Sequence, residues 1–329
     1  MKRRTLIGSM VGGLAAGLAS RTIQARPAVA NRLEAGDIPK RTFGKTGVDL
    51  TVIGLAGGRF PIIGNDEEAI ALTRRAVELG INYFDTAHIY WDGHSEEIYG
   101  AVLPDVRDQV FLTTKSTDRT REGALEELNL SLKRLKTDYV DLWQVHAIRS
   151  EEDAEQVFAP GGAIEAFEAA KKAGKCRFIG FTGHSNPAAH LAMLRAYEDW
   201  DTILMPLHVA DPHYLSFENQ VLPLAVERNL GIQGMKNFGN AKLLQRFSVK
   251  ECLSYVLNLP IHCTAIGCTT LGQLEDDVRI AQSLEDLGDE QMAALRSRAE
   301  PLKGPRLEDW KDDVETTASL RDRPRYTGS

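Results

Sequence analysis

An aspartate, a lysine and a histidine each close a short apolar run in the first half of this chain. Asp85 ends Ile81-Asn82-Tyr83-Phe84, Lys115 ends Val110-Phe111-Leu112-Thr113-Thr114, and His146 ends Tyr139-Val140-Asp141-Leu142-Trp143-Gln144-Val145. Tyr90 follows Asp85 by five residues. A phenol titrates near ~10 and carries a donatable proton over a wide pH range. An ammonium beside it stabilises phenolate and lowers that value. A carboxylate keeps the ammonium charged and oriented, and an imidazole polarises and aligns a carbonyl. Hydride addition to a carbonyl leaves an alkoxide that needs a proton, so these four residue types suit carbonyl reduction. Each also has a purely structural reading: Asp85 as a helix cap, Lys115 as a solvated loop residue, Tyr90 packed with Trp91, His146 bonded to backbone in the core. Their coincidence at successive strand ends favours chemistry.

The elements that must position them recur. Apolar runs of strand length occupy residues 50–55, 81–84, 110–113, 139–145, 176–181, 201–205, 231–235 and 263–266. Helical patterns lie between them. Asp66-Glu67-Glu68 opens one with acids in its first turn, and Gly80 ends it. Leu125, Leu128, Leu132 and Leu135 stand at helical spacing in 120–135. Further helices are expected over 163–173, over 187–197 with Asn186 as N-cap and Pro187 at the first position, and over 271–284. Eight strand–helix units predict an α/β fold, the (β/α)8 TIM barrel, whose active sites form at strand C-termini. A doubly wound open sheet would need a G-x-G-x-x-G turn after an early strand, and Ala56-Gly57-Gly58-Arg59 does not supply it. The expected domains are a signal peptide over 1–30, the barrel over 31–285, and a C-terminal helix with a polar tail over 286–329 that drapes over the barrel or frays.

Asn82-Tyr83-Phe84-Asp85-Thr86-Ala87 with Tyr90, followed by Gly93-x-Ser95-Glu96-x-x-x-Gly100, resembles the first signature of the aldo-keto reductases. The likeness extends over roughly residues 39–284. It implies Tyr90 as general acid, completed by Asp85, Lys115 and His146, and an NAD(P)H bound across the barrel mouth. Phe181-Thr182-Gly183-His184-Ser185-Asn186 resembles the family's segment after the fifth strand, which makes Ser185 and Asn186 ligands of the nicotinamide carboxamide. Gly57 and Arg59 would lie near the nicotinamide or the substrate. Met235 stands where the family commonly has an aromatic on the nicotinamide. A Gln common on the sixth strand is absent from Ile203-Leu204-Met205-Pro206-Leu207-His208. After the eighth strand, Gly267, Cys268 and Thr269 would follow the dinucleotide. Gln273 takes the place of an Arg that often grips the 2′-phosphate, and Asp277 falls near adenine. Lys236 compensates by binding pyrophosphate or the 2′-phosphate. NADP is the expected cofactor, with NAD as the alternative, and the substrate a small carbonyl compound. Trp91, Phe60, His208 and Tyr214 are expected to line its pocket.

Composition agrees with this and narrows the rest. The chain has 329 residues and a formal charge of −7. Its first 30 residues hold Lys2, Arg3, Arg4, Arg21 and Arg26 and no acid, so the remainder carries a formal −12. That acidic body argues against nucleic acid as a partner. Met1-Lys2-Arg3-Arg4, an apolar Gly/Ala-rich run from Leu6 to Ala19 and Ala28-Val29-Ala30 form a secretory layout. Arg3-Arg4 resembles a twin-arginine signal, which implies export machinery as a partner and a periplasmic or exported protein, or a cytoplasmic or membrane-anchored one if the signal is not processed; a monomer is the default expectation. Cys176, Cys252, Cys263 and Cys268 are too scattered for a disulfide framework and are expected as buried thiols. Two rival functions use the same barrel. One is a nucleotide-binding regulatory module with little turnover. The other is a metal-dependent hydrolase drawing on His146, His184, His208, Asp85 and Asp211; the reductase reading requires no metal.

Overall fold

A computed structural model of the chain describes Gly36 and residues 38–311. The expected signal over 1–30 and the last part of the tail lie outside the described residues.

Ten strands are present among the described residues. β1 (Lys40–Thr42) and β2 (Asp49–Thr51) form an antiparallel hairpin. β3 (Ile53–Ala56), β4 (Tyr83–Asp85), β5 (Phe111–Ser116), β6 (Val140–Val145), β7 (Cys176–Thr182), β8 (Thr202–Pro206), β9 (Gly231–Met235) and β10 (Cys263–Ile266) pair in parallel, and β10 returns to β3 to close an eight-stranded barrel. The predicted (β/α)8 barrel is therefore correct. One boundary is not: the apolar run 50–55 is two strands. Val52 sits between them, and its amide bonds Pro39 O in the hairpin while Thr264 N takes Val52 O from the barrel side. A continuous apolar run carries no mark of such a change of partner.

The hairpin closes one end of the barrel. Phe43 packs with Leu50, Tyr83, Phe111, Leu142 and Cys263, and meets Phe111 edge-on at 5.6 Å. Lys45 N bonds Asn229 O just before β9. These contacts are to the early residues of the strands, so the seal lies opposite the strand C-termini.

Helices begin where the sequence gives them caps. Asn65, Thr120 and Asn186 accept backbone N–H bonds at the starts of Asp66–Glu78, Arg121–Leu135 and Pro187–Ala196. Such caps are typically worth ~1 kcal/mol each. The outer face of β6 is anchored by Trp143, stacked on Phe167 at 3.6 Å and donating to Ser116. All four cysteines are free and buried. Among the described residues no helix is long and apolar enough to cross a membrane.

Candidate active site

Side chains alternate along a strand, so Tyr83 and Asp85 share a face of β4, and Thr113 and Lys115 a face of β5. Asp85 pairs in register with Thr113, which puts Lys115 two residues further on toward the open mouth. The lysine reaches back: Nζ donates to Asp85 Oδ1 at 2.6 Å and to Thr86 O at 2.6 Å. Its side chain is fully buried. The ammonium stands 4.8 Å from the centroid of the Tyr90 ring. Burial pulls the Lys115 ammonium down, but Asp85 and the Tyr90 hydroxyl, each by charge and hydrogen bonding, outweigh it and leave it raised. Burial raises the Tyr90 phenol above its ordinary value, and Lys115 is the strongest opposing influence. The lowering expected from the sequence is thus present and outweighed. On the far side of Asp85, the Tyr83 hydroxyl donates to Oδ2 at 3.3 Å.

His146 follows β6, with its ring edge-on to Tyr90 at 5.5 Å. Its backbone is fixed on both sides, since its N–H donates to Ser116 O and its carbonyl accepts from Arg119. Burial first, then the nearby charge of Lys115, holds its pKa well below the ordinary imidazole range. It is a neutral imidazole at pH 7, and its buried Nδ1 has no partner among the described residues. The four residues named from the sequence converge.

The expected cofactor residues divide into two groups. Arg59 and Lys236 come together: Arg59 Nη2 donates to Asn240 Oδ1 at 2.7 Å and Lys236 Nζ to the same atom at 3.1 Å. Burial, then Arg59, pulls Lys236 down to about 8. Neither cation has a salt bridge within 4.0 Å among the described residues. Gly267 makes room for this arginine, because a Cβ there would stand 2.4 Å from Arg59 Cγ. Two cations converging on one neutral oxygen fit a phosphate. Met235, nearly buried, ends β9 beside them. Gly57 accommodates the Ser95 hydroxyl, which a Cβ would meet at 2.2 Å. Ser185 is buried, and Asn186 spends its oxygen on Ala188 N as the helix cap, leaving its amide N–H groups to donate.

The second group bonds within itself. Gln273 Oε1 accepts from Thr269 N at 2.8 Å and from the Thr269 hydroxyl. Cys268 donates its thiol to Asp277, whose carboxyl is pushed up to about 7 mainly by burial. Of this group, Cys268 and Asp277 have their side chains buried against each other.

Two pocket expectations are corrected. Phe60 is fully buried, edge-on to Tyr99 at 5.4 Å, and does not line an open pocket. His208 is fully buried too, its Nε2 3.0 Å from Glu308. The histidine set of the rival hydrolase does not assemble. His208, Asp211 and Glu308 group their ligand atoms within 4.8 Å, without His146 or His184. Lys311 Nζ already sits on Asp211 Oδ1 at 2.6 Å and pairs with Glu308.

That cluster belongs to the tail, which packs rather than frays as far as it is described. Helix Asp289–Ala299 precedes it. Lys242 pairs with Asp309, and the Trp310 ring lies 5.3 Å from Lys236 Nζ. Sequence reasoning missed Glu308, Trp310 and Lys311, since a polar, Pro-containing tail gives no sign of a buried ion cluster, and it missed Asn240 on the loop after β9.

The aldo/keto reductase family model matches residues 59–251. Uncharacterized oxidoreductase YqkF and aldo-keto reductase YhdN of Bacillus subtilis are 34% and 35% identical over 155 and 211 residues, which is 44% and 56% of this chain and 48% and 57% of theirs. The chain thus spans about half the length of these curated relatives. L-galactose dehydrogenase of Arabidopsis thaliana is 28% identical over 313 residues, covering 81% of this chain and 96% of that protein. An aldo-keto reductase from Klebsiella pneumoniae, solved in complex with NADPH, superposes with a TM-score of 0.67 at 21% identity, over 85% of this chain and all of that one. With a family model spanning more than half of its length, the chain belongs to the aldo/keto reductase family.

Proposed function

We propose that this protein is an NAD(P)H-dependent oxidoreductase that interconverts an aldehyde or ketone and the corresponding alcohol, with Tyr90 as the general acid. One observation carries the reading: a buried ammonium, Lys115, held by Asp85 at 2.6 Å and facing the Tyr90 ring at 4.8 Å. Family membership and the NADPH-bound structure of a relative in fold support it.

The dinucleotide supplies hydride to the carbonyl carbon when bound. Tyr90 gives its proton to the oxygen on which charge accumulates. Lys115 stabilises the phenolate left behind, and Asp85 keeps Lys115 charged. A phenol raised by burial holds its proton firmly in the resting site, and the developing alkoxide is basic enough to take it. His146, neutral, donates a hydrogen bond that aligns the carbonyl without competing for the proton. Arg59 and Lys236 hold phosphate, and Ser185 and Asn186 hold the carboxamide.

NADP is the proposed cofactor, supported by the NADPH complex of the Klebsiella pneumoniae relative in fold; Arg59 and Lys236 supply charge for a phosphate. The substrate is a small carbonyl compound and the working form a monomer. The basic, apolar N-terminus directs a folded, dinucleotide-loaded protein to export by the twin-arginine route. Cell fractionation tests the route; mature protein starting at Asn31 in the periplasm supports it, and full-length protein in the cytoplasm overturns it.

Native mass spectrometry of the purified protein, with NADPH oxidation followed over a panel of aldehydes and ketones, tests the activity. A retained nicotinamide dinucleotide and aldehyde-dependent oxidation are expected. Oxidation with no carbonyl compound would sink the enzyme reading in favour of a binding module.

A further inference from the structure

Tyr90 stands in a loop whose backbone is unusual. Trp91 and Asp92 both have φ of 52°, and Gly93 follows at 89°. Left-handed values cost residues with a Cβ, so something must hold the turn. Arg134, in the last turn of Arg121–Leu135, reaches across it. Its Nη1 donates to His88 O at 3.3 Å and its Nη2 to Asp92 O at 3.2 Å. Those carbonyls flank Tyr90, two residues away on each side. Nη1 also lies 3.3 Å from His88 Nδ1 and 3.3 Å from Glu96 Oε2. Glu96 is fully buried, and its other oxygen accepts the Thr114 hydroxyl at 2.6 Å. Thr114 is the neighbour of Lys115 on β5. Gly93 leaves the passage for the guanidinium: a Cβ there would stand 2.0 Å from Arg134 Cζ.

We propose that Arg134 is a positioning residue for Tyr90, a planar fork that ties both flanks of the acid's loop, through Glu96 and Thr114, to the strand carrying Lys115. This rests on Tyr90 being the acid. A guanidinium suits the task because its donors diverge in a fixed plane, whereas an ammonium offers a single point charge. Loosening the fork would leave the dinucleotide site intact and let the phenol drift from the ammonium. Sub-ångström to ångström displacements at a reacting group cost up to ~100-fold in rate.

The test uses the full chain and four variants: Arg134→Gln, Arg134→Lys, Tyr90→Phe, and Tyr90→Phe with Arg134→Gln. NADPH binding is titrated by fluorescence, and single-turnover reduction of p-nitrobenzaldehyde is measured per NADPH-binding site. Both single Arg134 variants are expected to slow turnover by about 10- to 100-fold while NADPH affinity changes less than about twofold. In the Tyr90→Phe background, Arg134→Gln should add less than about twofold, because the phenol it positions is gone. Equal slowing with and without the Tyr90 hydroxyl would show a merely structural role and overturn the proposal. Full activity of Arg134→Lys would overturn the fork. If Arg134→Gln does not fold, Arg134→Lys enters the same cycle with Tyr90→Phe. A Tyr90→Phe enzyme as fast as wild type would overturn the assignment of the acid, and the proposal with it; a slow Tyr90→Phe beside additive Arg134 variants overturns the proposal alone.

Discussion

Lys115 and Lys311 are both buried ammonium groups, and each has three donors to place. Lys311 spends them on Asp211, Glu308 and the Tyr214 carbonyl. Lys115 spends two on Asp85 and the Thr86 carbonyl and faces the Tyr90 ring at 4.8 Å. The sets differ in one member: a second carboxylate in the tail, a neutral phenol in the barrel mouth. A second carboxylate takes the tail cluster past neutrality, and the lysine becomes an anchor. A single carboxylate leaves the Lys115 pair formally neutral, and its ammonium faces a phenol that can give up its proton. The chemistry of a buried lysine is set by its last partner.

Removing each ammonium should separate the two roles most sharply. Lys115→Met is expected to lower kcat by about 10²- to 10⁴-fold, the range of general acid catalysis. Lys311→Met strands two buried carboxylates and should cost about 3–5 kcal/mol of stability, read as a lower denaturation midpoint, with kcat per folded molecule unchanged. An active Lys115→Met, or a folded and inactive Lys311→Met, would erase the distinction. A smaller effect comes from Lys236, which has no carboxylate within salt-bridge distance among the described residues. Its pKa of about 8 means that it is charged below that pH and loses its charge above it. In the free enzyme, kcat/KM for NADPH should therefore fall as pH rises through about 8, and Lys236→Met should flatten that limb. A fall that persists in the variant would assign it to another group. Gln273→Arg should have the smallest effect, tightening NADPH a few-fold more than NADH through one charge-assisted bond. The gain is limited because Gln273 now ties down Thr269. Equal tightening of both dinucleotides would remove Gln273 from the phosphate.

The barrel was legible because its signals are local. Strand-length apolar runs, the cap at Asn186 and residues at strand ends all report within a few positions. The four candidate residues could be named for the same reason, since Asp85, Lys115 and His146 stand at or next to the ends of successive strands and Tyr90 lies on the loop after the first. What escaped depends on partners far along the chain. Arg134 is 44 residues from Tyr90, and Lys311 is 100 from Asp211. Neither side chain looks different in sequence from a solvated one. The split of 50–55 into two strands was hidden by uniform hydrophobicity, and Phe60 and His208 were misplaced because closeness to a strand end does not fix which way a side chain turns.

The Phe43 hairpin gives the barrel a floor. A molecule that reaches Lys115 cannot drain through the bottom, where aromatic rings fill the space between the early strand residues.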